Sequence, residues 1–221
     1  MNPTLLTPVK KSIGPAETRD ILYACLKTLS DNCDHLNALD QALGDGDHGS
    51  TMHRGAGAAM AALDAGNFTT VNAVFEAIGS AMMTSMGGAS GILFGVWFRG
   101  AKFCAAASEL DVATVKSIFE RGLQDLAKKS PATIGDKTMM DALIPATGTL
   151  ADVEGKSLTE VLRSMAASAT TGAESTIGLL PRLGRATTLG ERVRAAKDPG
   201  ATSISIFFTT LAREVEKQNP E

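Results

Sequence analysis

Apolar residues fall at helical spacing along almost the whole chain, and this period limits the fold more than any other feature. Leu22, Cys25, Leu26, Leu29, Cys33 and Leu36 recur at three- and four-residue steps and give one apolar face. Gly14-Pro15 opens that first helix, with proline near its first turn. Ser50 or Thr51 can cap a second helix running to about residue 65, Gly66-Asn67 breaks the chain, and a third helix covers about 70–85. A fourth carries Leu93, Phe94, Trp97 and Phe98, and a fifth spans about 112–129 before Ser130-Pro131 ends it. A sixth begins within 135–141 and carries Leu143, Ile144 and Leu150, with Pro145 as a kink. A seventh covers about 158–177. Residues 203–208 alternate like a strand, yet Ile204, Phe207, Phe208, Leu211 and Val215 keep the helical period over a longer window, so an eighth helix is expected. The pattern predicts an all-α chain of about eight amphipathic helices, without a strand pair or an internal repeat.

A length of 221 residues with 44% hydrophobic content suits one domain with a sizeable core. Aromatic residues are scarce, and Ala, Leu, Met and Gly suit helices packed closely. A net charge of −3, with no basic stripe interleaved with aromatics, argues against a nucleic-acid partner. Cys25, Cys33 and Cys104 are odd in number and lack metal-site spacing, and Cys25 and Cys33, eight apart on one helix, read as buried thiols. Residues 1–11 lack the apolar core of a signal peptide, and no apolar run reaches bilayer-spanning length. The expectation is a cytoplasmic protein with no membrane partner.

Between the first two helices lies Leu39-Asp40-Gln41-Ala42-Leu43-Gly44-Asp45-Gly46-Asp47-His48-Gly49-Ser50-Thr51. Three carboxylates this close repel one another unless a cation sits among them. The glycines let the backbone turn sharply and admit a ligand closely. All-oxygen ligands favour Mg²⁺ or Ca²⁺ over zinc, and Mg²⁺ commonly completes its shell with phosphate oxygens. A metal–phosphate site is therefore one reading, and a solvated Asp/Gly turn capping the next helix is the other. Gly44-x-Gly46-x-x-Gly49 matches a dinucleotide-binding pattern in letters only, because no strand precedes it and two of its positions are Asp. An EF-hand loop opening at Asp45 fails at Gly49 and Ala56.

Three further stretches stand out. Met86-Gly87-Gly88-Ala89-Ser90-Gly91 precedes a helix, where small residues either leave room for an anion or serve helix packing. Gly135-Asp136-Lys137-Thr138 has the ending of a P-loop but not its leading glycine. Residues 181–200 form a long irregular stretch with Arg182, Arg185, Arg192, Arg194 and Lys197, which reads either as a closing basic loop or as a solvated charge run. His53 and Arg54 in the first turn of the second helix oppose its dipole unless an anion lies nearby, and exposed solvation accounts for them equally well.

Taken together these loops resemble the L subunit of dihydroxyacetone kinase, the nucleotide-binding part of that enzyme. The residues that carry the resemblance are Leu39-Asp40 with Gly44-Asp45-Gly46-Asp47-His48-Gly49, Met86-Gly87-Gly88-Ala89-Ser90-Gly91, Gly135-Asp136-Lys137-Thr138-Met139, Gly184-Arg185-Ala186 with Leu189-Gly190-Glu191-Arg192, and Asp198-Pro199-Gly200-Ala201-Thr202-Ser203. Five motifs in order, over about residues 17–211, make the resemblance specific. The sequence departs from the family pattern at Ser50-Thr51, at Thr187-Thr188, and in lacking a histidine before Asp198.

The resemblance implies eight antiparallel amphipathic helices arranged as a barrel, with the nucleotide in the loops at one end. It implies an N-terminal extension over 1–15 and a single nucleotide-binding helical-barrel domain over 16–217. By resemblance, Asp40, Asp45 and Asp47 hold two Mg²⁺ ions against the phosphates of ADP or ATP. His48, Gly49, Ser50 and Thr51 lie at the phosphates, with Ala89 and Ser90 in the second glycine-rich loop. Met139 and Ser130 lie near the base, and Arg185 with Asp198, Pro199 and Gly200 forms the closing loop. The sugar-binding histidine is expected on a separate K subunit, and a phosphotransferase phosphocarrier, the M subunit, is the expected phosphoryl source. The alternatives are an ATP-dependent subunit for a related ketose, or a non-catalytic nucleotide sensor that docks on a regulator. The related domain of fatty-acid kinases resembles Pro-Asp-Gly-Asp-Thr-Gly at the cluster, so His48 and the Asp198 motif argue against it.

Overall fold

The computed structural model describes residues 12–218, and the side chains of Arg185, Ala186 and Arg192 also lie outside the described residues. Most of the expected extension over 1–15 therefore falls outside them. Among the described residues there are nine α-helices and no strand: α1 (Pro15–Asp31), α2 (Cys33–Gln41), α3 (His48–Ala65), α4 (Val71–Ser85), α5 (Gly88–Arg99), α6 (Val112–Ala127), α7 (Met140–Gly148), α8 (Leu158–Ser175) and α9 (Pro199–Gln218). None is long and apolar enough to cross a membrane.

The helix starts follow from local chemistry. Pro15 sits at the first position of α1. Thr70 and Asp111 cap α4 and α6 by accepting the amides of Ala73 and Thr114 at 3.2 and 2.7 Å. Ser157 and Glu160 form a reciprocal capping box on α8. The first expected helix is split in two at Asn32, whose side chain donates to the Thr28 carbonyl at 2.8 Å and competes with helix continuation. The second expected helix begins earlier than its hydroxyl residues suggest, at His48 directly after the Asp cluster. The sixth begins only at Met140. The irregular stretch ends at Asp198, because Pro199 and Gly200 already belong to α9, and it contains two short 3-10 turns, Arg185–Thr188 and Gly190–Val193.

Eight helices close a ring. α1 packs on α3, then α4, α5, α6, α7, α8 and α9 follow in order, and α9 returns to α1. α2 lies beside the ring against α3 and α9. The expected eight-helix barrel is thus present, with the ninth helix arising from the break at Asn32. Two glycines allow the tightest crossings. A Cβ on Gly49 would lie 1.9 Å from the Cys33 carbonyl oxygen of α2, and one on Gly172 would lie 2.1 Å from that of Asp141.

The scarce aromatics are concentrated where the ring needs filling. Trp97 is buried with its ring centroid 4.7–6.3 Å from those of Phe94, Phe98, Phe119, Phe207 and Phe208. Residues from α5, α6 and α9 therefore meet in one aromatic cluster inside the ring. At one end the connections bond to each other: Val71 donates to the Ala107 carbonyl, and Leu110 to that of Ile13. The α2–α3, α4–α5, α6–α7 and α8–α9 connections meet at the opposite end around a cavity.

Candidate functional site

Asp40 lies in the last turn of α2, and Asp45 and Asp47 lie in the short loop to α3. One carboxylate oxygen from each comes within 4.8 Å of the others. Asp40 is half-buried, whereas Asp45 and Asp47 are exposed. Asp40 Oδ2 accepts the backbone N–H groups of Asp47 at 2.9 Å and His48 at 3.2 Å. It thereby serves two amides at the start of α3, which have no partner within that helix. Gly46, at φ +76°, turns the loop so that these amides face back to α2. The set offers only oxygen ligands, two of them accessible, which fits a hard divalent cation that keeps room for phosphate or water oxygens.

The carboxylates border a cavity of about 540 Å³. Four ring helices, α3, α5, α7 and α9, begin at this end. Their positive dipole ends and unpaired first-turn amides favour an anion there. At α5, Gly87 and Gly88 have φ of +70° and +60°, and Ala89 and Ser90 follow on the cavity wall. Leu43, Met86, Leu93, Met139, Pro181 and Leu183 supply an apolar wall. A cation subsite, an anion-favouring rim and an apolar wall thus share one opening.

His48 is buried, and its Nε2 lies 2.9 Å from Ser203 Oγ on α9. Ser203 Oγ also lies 3.0 Å from the Pro199 carbonyl, so one hydroxyl links the His48 ring to the first turn of α9. Burial pushes the His48 pKa down to about 4, against the pull of the Asp40 charge, so the imidazole is neutral at pH 7. This contact joins the Asp cluster to the start of α9. There Asp198 caps the helix by accepting the Ala201 amide at 2.7 Å. Burial raises the Asp198 pKa to about 7; the Ala201 hydrogen bond and the Lys137 charge oppose the rise, and the Asp141 and Asp40 charges add to it.

Two cations at the cavity are occupied with backbone. Arg54 donates from Nε to the Ser85 carbonyl at 2.9 Å and from Nη2 to that of Met86 at 2.7 Å. The sequence leaves a nearby anion and plain solvation equally open for this arginine; instead these bonds brace α3 to the chain just before Gly87. Lys137 is buried with φ +59°, and its Nζ donates to the carbonyls of Thr176 at 2.6 Å and Ala196 at 2.5 Å. Burial lowers its pKa against the charges of Asp198 and Asp141. Among the cations of the α8–α9 connection, Arg194 bonds Gly178 and Glu191, and Lys197 pairs with Glu174, so neither is simply solvated.

Most residues singled out in the sequence meet at this cavity. Asp40, Asp45, Asp47, His48 and Thr51 line one side of it, Ala89 and Ser90 the second, and Met139, Asp198, Pro199 and Gly200 the third. Gly49, Ser50 and Ser130 are not among its lining residues. Gly49 faces α2, and Ser50 exchanges hydrogen bonds of 2.9 and 3.0 Å with Asn37. The Ser130 hydroxyl accepts the Ala132 amide at 3.2 Å. The Arg185 side chain lies outside the described residues. Sequence reasoning missed the apolar contribution of Pro181 and Leu183 and the structural use of Lys137. The Gly-Asp-Lys-Thr run, once set aside as a P-loop, gave no signal for that use.

A family model described as a DAK2 domain matches residues 42–213. The chain is 34% identical over 204 residues to the PEP-dependent dihydroxyacetone kinase, ADP-binding subunit DhaL, of Escherichia coli strain K12, covering 91% of this chain and 97% of that protein. It is 33% identical over 187 residues to the PTS-dependent dihydroxyacetone kinase, ADP-binding subunit DhaL, of Lactococcus lactis, covering 85% and 91%. Among solved structures it is similar to the dihydroxyacetone kinase from C. freundii in complex with AMP-PNP and Mg²⁺, at a TM-score of 0.68 and 27% identity. That match covers 96% of this chain but only 37% of the solved one.

Proposed function

The chain belongs to the DAK2-domain family, and from that membership we propose that it is the ADP-binding subunit of a PEP- and phosphotransferase-dependent dihydroxyacetone kinase. The observation that carries the reading is the meeting of Asp40, Asp45 and Asp47 with the starts of α3, α5 and α9 at one cavity. The nucleotide-binding domain covers 16–217.

In this reading Asp40, Asp45 and Asp47 hold two Mg²⁺ ions. Bound Mg²⁺ would offset charge on the oxygens of the transferred phosphoryl group. Asp40 also orients the loop through the amides of Asp47 and His48, so metal and phosphate positions are set by one side chain. His48 and Thr51 at the first turn of α3, and Ala89 with Ser90 at α5, face the phosphates, while Gly49 and Ser50 hold that turn against α2. A neutral His48 adds no charge that would expel the cations. Met139, with Leu93, Pro181 and Leu183, takes the base on an apolar wall. Arg185 and 198–200 close the site, where a guanidinium can fork onto phosphate oxygens.

The ketose is held by a separate K subunit through a histidine on that partner, and the nucleotide is rephosphorylated in place by a phosphocarrier, the M subunit. Both relatives that the chain covers nearly end to end are named as PEP- or PTS-dependent, which favours this donor over ATP. The test is reconstitution. Dihydroxyacetone should be phosphorylated only when this chain, catalytic ADP, a K subunit and a phosphorylated phosphocarrier are combined. Steady turnover of dihydroxyacetone by this chain and ATP alone would refute the proposal.

A further inference from the structure

Lys137 occupies a position that few lysines could hold without a reason. Its backbone is left-handed, at φ +59°, although it is not glycine. L-residues with a long side chain avoid that conformation, and it persists where the surroundings enforce it. The enforcement is visible one turn on. Asp141, almost wholly buried, accepts the Gly135 amide with Oδ1 at 2.6 Å and the Thr138 amide with Oδ2 at 2.7 Å. These two bonds fix the backbone on both sides of Lys137 and send its side chain inward. The ammonium then meets two carbonyls that lie twenty residues apart in sequence, those of Thr176 and Ala196.

Those carbonyls mark the two ends of the α8–α9 connection. The same stem carries the Gly178 amide on the Arg194 carbonyl at 2.7 Å and the Asp198 amide on Thr176 Oγ1 at 2.9 Å. Beyond the stem, Pro181, Leu183 and Gly184 reach the wall of the cavity. We infer that Lys137 is a positioning residue that fastens both ends of the 177–195 segment to the α6–α7 connection, so that the segment stands over the cavity and slows nucleotide release. Its ammonium is spent on carbonyls and does not bind phosphate. The effect on nucleotide rests on the proposed function; the effect on the stem does not.

The test uses Lys137→Met, which keeps the packed stem of the side chain and removes the ammonium. Amide hydrogen exchange of the nucleotide-free protein should rise at least tenfold at Gly178, Ala196 and Asp198, with α1 and α4 unchanged. Mg²⁺–ADP should dissociate about tenfold faster, and adenosine should weaken by a similar factor. Unchanged exchange at the stem would overturn the clamp, and so would an equal rise throughout the ring. A loss confined to ADP, with adenosine untouched, would mean that the ammonium binds phosphate and would also overturn it. Altered stem exchange without any ADP binding in the wild type would instead count against the proposed function alone. A second measurement needs no variant. In the wild type with ¹⁵N-labelled lysine, the Lys137 ammonium should give a signal protected from solvent exchange and coupled to the Thr176 and Ala196 carbonyl carbons. Absence of that signal at low pH and temperature would refute the inference even if the Met variant does not fold.

Discussion

Replacing Asp45 with Asn should weaken metal-dependent nucleotide binding while leaving the ring folded. The three ligand oxygens lie within 4.8 Å of one another. At that separation, and with the high effective dielectric of exposed groups, each pair of charges repels by about 1–2 kcal/mol. The substitution removes two of the three pairs. Solvent and salt reduce the relief to about 1–2 kcal/mol in total at low ionic strength. Without metal, the melting temperature should therefore hold or rise, by up to roughly 2–6 °C for a domain of this size. With metal the sign reverses for binding. Losing one charged contact should weaken Mg²⁺-dependent ADP affinity by about 1.5–3 kcal/mol, or roughly 10- to 150-fold. Asp47→Asn should behave alike. Asp40→Asn should differ, because Oδ2 of Asp40 also accepts two amides of the loop, so its melting temperature without metal should not rise. Titration calorimetry with ADP, with and without Mg²⁺, measures the first effect; thermal melts in chelator at low and high salt measure the second. Wild-type ADP affinity in both the Asp45 and Asp47 variants, with Mg²⁺ present, would refute the metal assignment.

Three further outcomes are expected. Mg²⁺–ADP should increase hydrogen-exchange protection at the tip, 181–192, more than at the stem; Arg185→Ala should weaken ADP by about 2–3 kcal/mol, roughly 30- to 150-fold, and Lys197→Ala by no more than a few-fold because Lys197 pairs with Glu174. Equal protection with and without nucleotide would rule out closure. Asp198, with a folded pKa raised to about 7, keeps a proton that the unfolded chain has already lost above about pH 4, so its contribution to stability should fall as pH rises from about 4 to 7 and then level off. Asp198→Asn keeps an oxygen for the Ala201 amide and should remove that slope in metal-free urea unfolding at pH 5 and pH 8; equal slopes in both proteins would show that Asp198 is not its source.

The residues at the site were legible where side-chain chemistry alone decides the matter. Asp40, Asp45 and Asp47 stand within eight positions, and the structure brings one oxygen of each within 4.8 Å of the others. The cations were not legible in the same way. Arg54 stands where a helix dipole would repel it, which leaves a nearby anion and solvation equally open, yet it is satisfied by the carbonyls of Ser85 and Met86. Lys137 carries no pattern that assigns it a task, since the run around it lacks the leading glycine of a P-loop, and it is satisfied by the carbonyls of Thr176 and Ala196. A guanidinium or ammonium bonds a carbonyl as readily as it bonds a phosphate, and carbonyls from distant segments leave no mark in sequence. The break at Asn32 was hidden for a related reason. The apolar period continues across it, from Leu29 to Leu36, while the interruption comes from one side-chain amide bonding the backbone.

The ring explains why the motifs belong together. In a closed ring of antiparallel neighbours, every second connection falls at the same end. The Asp cluster, the Gly87-Gly88 turn, the Gly135–Thr138 loop and the Asp198 cap each lie one helix pair after the last. Any chain that closes this ring must bring them to one opening, however far apart they stand in sequence. The connections of the other parity carry none of these motifs. They are occupied with holding themselves together: Asn72 bonds the carbonyls of Ala101 and Ala105, and Lys116 bonds that of Leu150. Each helix that begins at the motif end also turns its unpaired amides toward the opening. A carboxylate cluster alone would suit any divalent cation. Carboxylates facing four helix starts across one cavity suit a cation that is itself bound to an anion, as a metal–nucleotide complex is.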